Sequence, residues 1–434
     1  MSPVKSGKRK QFCPGFGVSD MLNWLLVLYM WLTVHRPYEI WTAFAAYRPV
    51  LICAICFVIV WLCGTKEKRV LGNIFTPAIL FYMSAITLST YFSPLTNIFI
   101  NHELYVWCTY IVFFLVLMTS VKTERDLKII VTGFSIVAFL FIAHSYIGYL
   151  QGVTTIYGGT RRLRGINHTI GDVNDYGAFI ICSLPLLLPL LVLCKKYWHY
   201  LFVLGYVLLT LRSVMLTGSR TAFVMVGMLM VLPILFSRHR FKLLPLLLIA
   251  MPVSWWIMPE SMQNRYRTIW DDSISQGATY TRNLRVSQFY AGIENWTNYP
   301  IFGSGPATHG RVSGGHYRAH NLAGEVASEL GTVGIIAFLT MLLCFGINHY
   351  NIWKNYKYLQ EKDLGKEGLY CWWLSMGVMY AIAMVLLQGL GLPTAYRFTW
   401  VWFGAFQALA AMIMQEKVND ALQGKLLPSL PKRW

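Results

Sequence analysis

Long apolar blocks recur along the chain, each about 15 to 23 residues and most of them bounded by Lys or Arg, and this alternation predicts membrane-spanning helices. They fall at roughly 20–34, 47–63, 73–93, 103–121, 129–149, 176–194, 200–217, 221–236, 243–258, 330–348, 369–391 and 398–415. Lys and Arg cluster in alternate connections, which orients the chain by the excess of positive charge on the cytoplasmic side. Both termini are then cytoplasmic, and the longest outer segment, roughly 260–320, faces the opposite side. That segment has its own order. Val286, Phe289, Tyr290, Ile293 and Trp296 recur at helical spacing and predict an amphipathic helix, with Arg282 and Arg285 on one face. Asn298-Tyr299-Pro300 stops it, and Gly303-Ser304-Gly305-Pro306 forms a turn whose backbone amides can approach an anion.

Composition sharpens the picture. Of 434 residues, 56% are hydrophobic and 13% charged, where a soluble domain carries roughly a quarter charged. The fold class is therefore all-α: a polytopic integral membrane protein of about 12 transmembrane helices, with one large outer loop containing amphipathic helices. Residues 1–434 read as a single membrane domain, capped by 260–320. The net charge of +18 would point to nucleic acid in a soluble protein. Here cytoplasmic loop charge and anionic lipid headgroups account for it, so no nucleic-acid partner is expected. Cys53 and Cys56 form a CxxC, but inside a span, where packing outranks redox chemistry. Lys5, Lys8, Arg9 and Lys10 precede an apolar stretch without a small-residue cleavage site, so the first span is expected to serve as the insertion signal.

The two cations segregate. Every Lys falls in a segment assigned to the cytoplasm, whereas the outer cations are arginines, among them Arg161, Arg162, Arg164, Arg220, Arg265, Arg282, Arg285, Arg311 and Arg397. A planar guanidinium grips phosphate oxygens through two parallel hydrogen bonds, which an ammonium cannot do. An outer surface that keeps Arg and excludes Lys therefore points to a phosphate ligand. Arg220 ends a span, and Arg212 lies about two turns deeper in it, where ionisable groups face a cavity or a partner.

The candidate centre is His316 to Gly334, HYRAHNLAGEVASELGTVG, where a polar cluster meets the start of an apolar segment. His320 is the candidate general base, since neutral imidazole takes a proton near neutral pH. Asn321 can cap the following helix or bind substrate. Glu325 and Glu329, four apart, share a helix face; either can orient an imidazole or a sugar, or favour the helix start and pair with an outer Arg. His309 and His316, with glycines nearby, read as loop residues. The His and Glu spacings match no zinc pattern, so no metal is expected.

With these residues in hand, the chain resembles the O-antigen ligase and polymerase family of bacterial inner membranes. The likeness rests on His320-Asn321 followed by Glu329-Leu330-Gly331-Thr332-Val333-Gly334, on Arg285 leading to Pro300-Ile301-Phe302-Gly303-Ser304-Gly305, and on Thr217-Gly218-Ser219-Arg220 at a span end. Arg161 to Gly165 with Asn174-Asp175 is a weaker match, and Leu322-Ala323-Gly324 replaces the family's aromatic residue after HN. The resemblance implies a metal-independent, cofactor-free glycosyltransferase working at the periplasmic face of the inner membrane. Its donor would be a glycan on undecaprenyl diphosphate. Its acceptor would be lipid A-core for a ligase, or another lipid-linked glycan for a polymerase of O-antigen or exopolysaccharide. His320, Arg220 and Arg285 are then the expected catalytic residues, and Asn321, Arg282, Arg212, Arg164, Glu325 and Glu329 the expected substrate contacts. A transporter or flippase is the remote alternative, but it would place charges at midplane and often show inverted repeats.

Overall fold

The computed structural model describes residues 17–64, 72–97, 101–157, 160–236, 245, 248–249, 252–253, 255–271, 276–312 and 319–426. The chain is a helical bundle: α1 (Val18–Val34), α2 (Pro37–Ile40), α3 (Pro49–Gly64), α4 (Phe75–Phe92), α5 (His102–Ser120) and α6 (Glu124–Leu150) precede a hairpin of β1 (Thr154–Tyr157) and β2 (Thr160–Leu163). There follow α7 (Val173–Ser183), α8 (Leu188–Leu193), α9 (Tyr197–Thr217) and α10 (Arg220–Phe236). Then come α11 (Glu260–Arg267), α12 (Gln276–Asn298), α13 (His309–Val312), α14 (Leu322–Glu361), α15 (Gly365–Gly389) and α16 (Phe398–Leu422).

Among the described residues, eight helical segments are long and apolar enough to cross a membrane, and α3 and the start of α10 are shorter apolar helices. The protein is an all-α, multi-pass membrane protein. The expected span at 243–258 lies largely outside the described residues. Two connections have structure of their own. The first two spans are joined by α2 and a 3-10 turn, Thr42–Tyr47. The loop after α6 folds into the antiparallel hairpin, pairing Thr154 with Leu163 and Tyr157 with Thr160.

The core gathers on α16, whose Phe398 to Ala410 are buried all round. Trp402 packs against Phe113 and Phe134, and Trp400 against Phe338. Lipid is as apolar as these side chains, so tight packing rather than water exclusion holds the helices together. At one end, Lys417 reaches Glu124 and Glu367, tying α6, α15 and α16. The other end carries His320 and is the site end.

The element that shapes the site end is a break in α14. At 40 residues this helix is about 60 Å long, twice a hydrocarbon core. It breaks at Gly331, with φ 64° and ψ −162°, a conformation essentially confined to glycine. The break frees backbone groups, and the turn after α12 satisfies them. Ser304 and Gly305 amides donate to the carbonyls of Ser328 and Glu329 at 2.9 and 3.0 Å. In return, Thr332 and Val333 amides donate to Pro300 and Ile301 at 2.9 and 3.1 Å. The two glycine-bearing motifs of the sequence are thus the two halves of one joint. A Cβ at Gly331 would lie 2.5 Å from both the Ile301 carbonyl oxygen and the Gly303 nitrogen. Gly331→Ala is expected to cost roughly 1–3 kcal/mol, read as a lowered melting temperature in detergent. Gly346→Ala on the same helix, with nothing within 4 Å, is the control and is expected to melt like the parent.

Candidate active site

Asn321 is the N-cap of α14, its side-chain oxygen accepting from the Gly324 amide at 2.5 Å. The cap fixes where the helix starts and so where His320, one residue earlier, is held. His320 is half-buried. Burial, then the charge of Arg285, hold its pKa below the usual histidine value, with Asp172 and Asp175 opposing them. The imidazole is therefore neutral near neutral pH and free to accept a proton.

Arg285 stands on α12, which lies against the first part of α14; Gly292 takes Gly324 backbone so closely that a Cβ would sit 3.0 Å away. Asn295 donates to Ser304 Oγ at 2.8 Å and to the Ser328 carbonyl at 3.0 Å. His309, expected as a loop residue, is instead buried, with Ser328 Oγ at 3.1 Å and Gln288 Oε1 at 2.8 Å. Gln288 lies one turn from Arg285, so these contacts set the arginine's height. Sequence patterns gave no sign of this bracket, because its partners are about 20 to 40 residues apart and share no period.

Arg285 and Arg220 line one cavity of about 340 Å³ with Thr221, Thr268 and Gly391, the rest of its wall being apolar, such as Val224 and Leu387. Arg220 Nη1 lies 3.4 Å from the Thr268 carbonyl and hydroxyl. Burial, then Arg220, lower the Arg285 pKa, and no ion pair to Arg285 is present among the described residues. Arg285 also lines a larger groove of about 810 Å³, whose wall is otherwise apolar side chains such as Phe289, Ile293, Val326 and Leu386. Asn321 lies on that wall, and its buried Nδ2 has no hydrogen-bond partner among the described residues. One guanidinium thus separates a small cationic chamber from an apolar groove.

The two glutamates do other work. Glu325 Oε2 accepts from the Ala395 amide at 2.8 Å. Glu329 accepts from the amides of Ala307 and His309 at 2.8 and 3.2 Å and from the Tyr396 hydroxyl at 2.9 Å. Among the described residues neither carboxylate has a hydrogen bond to His320. The glycine-rich turn itself binds no anion: Ser304 and Gly305 donate their amides to carbonyls, and Glu329 is held by the amides just beyond the turn. A nearby ion pair, Arg397 to Asp175 at 2.5 Å, ties the start of α16 to α7 beneath His320.

Several outer arginines also prove structural. Arg162 and Arg265 donate to the carbonyls of Thr217 and Gly218, each at 2.6 Å, and so cap the C-terminus of α9, where cations are favoured. Burial, then Arg265, push Arg162 down to about 10; burial, then Arg220, lower Arg265. Arg311 donates to the Leu95 carbonyl at 2.6 Å. The preference for Arg outside therefore comes partly from backbone capping, a role beside the phosphate binding that the sequence suggests. Arg164 is half-buried over Gly165, and Arg212 points Nη1 into the bundle without a hydrogen-bond partner among the described residues. Neither lines the cavity of Arg220 and Arg285. The Arg282 side chain, His316 and Arg318 lie outside the described residues. No group of three His, Cys, Asp or Glu side chains converges among the described residues.

The fold and this end define a polytopic membrane protein with two arginines at a small cavity beside an apolar groove. Residues 205–339 match a family model described as O-antigen ligase. The match supports the O-antigen ligase and polymerase resemblance read from the motifs, over that segment. That segment holds every candidate site residue except Arg164. Comparison with curated proteins gives no match.

Proposed function

We propose that the protein is a glycosyltransferase that moves a glycan from undecaprenyl diphosphate to an acceptor hydroxyl at the periplasmic face of the inner membrane. The acceptor proposed is lipid A-core, the reaction of an O-antigen ligase. The observation that carries this reading is Arg285, shared between the chamber it forms with Arg220 and the apolar groove, with His320 close enough to feel its charge.

The diphosphate lies in the chamber and the polyprenyl tail in the groove. Because the tail leaves lipid for equally apolar protein, the groove supplies orientation more than affinity. The acceptor hydroxyl attacks the anomeric carbon, and its proton passes to the free ring nitrogen of His320. The bond from that carbon to the phosphate oxygen breaks, and its electron pair leaves with the diphosphate. Arg285 and Arg220 meet the growing negative charge in a site of low dielectric, where fixed charges act strongly. A single displacement inverts the anomeric centre. Two arginines supply the charge that a metal ion provides in many diphosphate enzymes, so the reaction is metal-independent.

The test is transfer by purified protein from an undecaprenyl-diphosphate glycan with EDTA present, with lipid A-core in one tube and no second acceptor in the other. Product on lipid A-core is the expected result. Longer lipid-linked chains without it make the protein a polymerase with the same donor site. Loss of activity on chelation overturns the arginine mechanism. Donor binding without transfer in either tube turns the reading toward a transporter.

A further inference from the structure

The groove beside Arg285 seats one lipid, but both partners in the proposed reaction are lipid-borne. A second apolar slot, about 570 Å³, lies on another flank of the bundle among α1, α3 and α5. We propose that this slot holds the phosphate-bearing lipid anchor of the acceptor. This rests on the transferase reading.

The slot shares no lining residue with the groove, which is walled by α12, α14 and α15. Arg48, Tyr38 and Tyr105 stand at its mouth, and Ala54, Phe57 and Val112 line its depth. From Pro49 to Phe57 the α3 wall descends about 12 Å, enough for the upper part of a hydrocarbon chain. Leu51, Tyr105 and Val112 are exposed beside it, so the slot opens sideways to lipid.

The mouth is built for an anion. Arg48 is exposed, makes no ion pair among the described residues, and sits directly before Pro49 at the start of α3. A 16-residue helix therefore presents its positive end beside a guanidinium. Arg48 holds φ at 45°, left-handed backbone that glycine takes freely and that costs other residues on the order of 1–3 kcal/mol. The Tyr38 and Tyr105 hydroxyls add donors. Apolar depth, lateral opening and cationic mouth together match a lipid phosphate.

The mouth also connects to the proposed base. Beside Tyr38, Glu39 pairs with Arg36 at 2.8 Å and accepts from the His168 amide at 2.7 Å and the Thr169 hydroxyl at 3.0 Å. That loop runs on to Asp172, whose charge acts on His320. A glycan anchored in the slot therefore has its path to the base along the loop that Glu39 holds, which ends at Asp172.

The experiment uses the full-length protein in vesicles with a diazirine-bearing single-chain lipid monophosphate. Label is expected on peptides covering residues 49–57 and 105–112, displaced by lipid A-core or by the undecaprenyl-diphosphate glycan. Arg48→Ala, at the exposed mouth, and Ala54→Phe, which fills the depth, are each expected to lower that label several-fold. In the transfer assay they are expected to raise the acceptor KM about tenfold, a loss of 1.4 kcal/mol, with the donor KM unchanged. Label at the slot that neither glycolipid displaces shows a resident phospholipid and overturns the proposal, as does label elsewhere or a change in donor KM alone. A parent protein that transfers no glycan defeats the transferase reading by itself, while displacement of the label still decides whether the slot takes glycolipid.

Discussion

His320→Ala is expected to lower kcat about 10²- to 10⁴-fold, the usual contribution of a positioned base, and to leave the protein folded in the membrane. The side chain is half-buried and belongs to no core cluster, while the helix cap is the task of Asn321. The KM for donor is expected to hold, since the diphosphate is held by arginine. Near-parental turnover in this variant removes His320 as the base. The pH profile carries a sharper version. Burial and Arg285 keep the imidazole deprotonated to a lower pH than an ordinary histidine. Activity should therefore fall on the acid side only below the ordinary value of about 6.5. In Arg285→Gln the opposing charge is gone while Asp172 and Asp175 remain, so the acid limb is expected to move to higher pH. An unmoved limb in that variant assigns the titration to another group.

Arg285→Lys is expected to act as a near-complete loss, about 10²- to 10³-fold in kcat by analogy with removal of one preorganised donor from an anion hole. Two effects add. The planar fork that grips two phosphate oxygens becomes a single point charge. The site also disfavours any cation there, because burial and Arg220 already lower the arginine's pKa. Lysine starts about two units or more lower and meets the same burial and the same Arg220 charge, so it holds its charge less firmly there than arginine does. Parental activity at neutral pH would sink the diphosphate role.

The spans were legible in the sequence because apolar blocks set by bilayer thickness need no tertiary information. So were Asn321 as a cap and Arg285 on a helix, both local patterns. The joint at Gly331 was visible only as two separate glycine motifs; their hydrogen bonds link residues 24 to 32 positions apart, and no period announces them. Glu325 and Glu329 looked like site residues because charge at a membrane edge is costly. They are affordable since loops distant in sequence bring amides to them. Arg162 and Arg265 were read as part of a phosphate surface, and only the structure shows them spent on α9 carbonyls.

The chamber of Arg220 and Arg285 has a consequence for the cycle as a whole. In the proposed reaction the diphosphate gains charge as it loses the glycan, and the same two guanidinium groups hold it before and after. They therefore grip the spent carrier more firmly than the loaded one. On that reading the spent carrier is expected to act as a product inhibitor, and its removal from the membrane to relieve the protein.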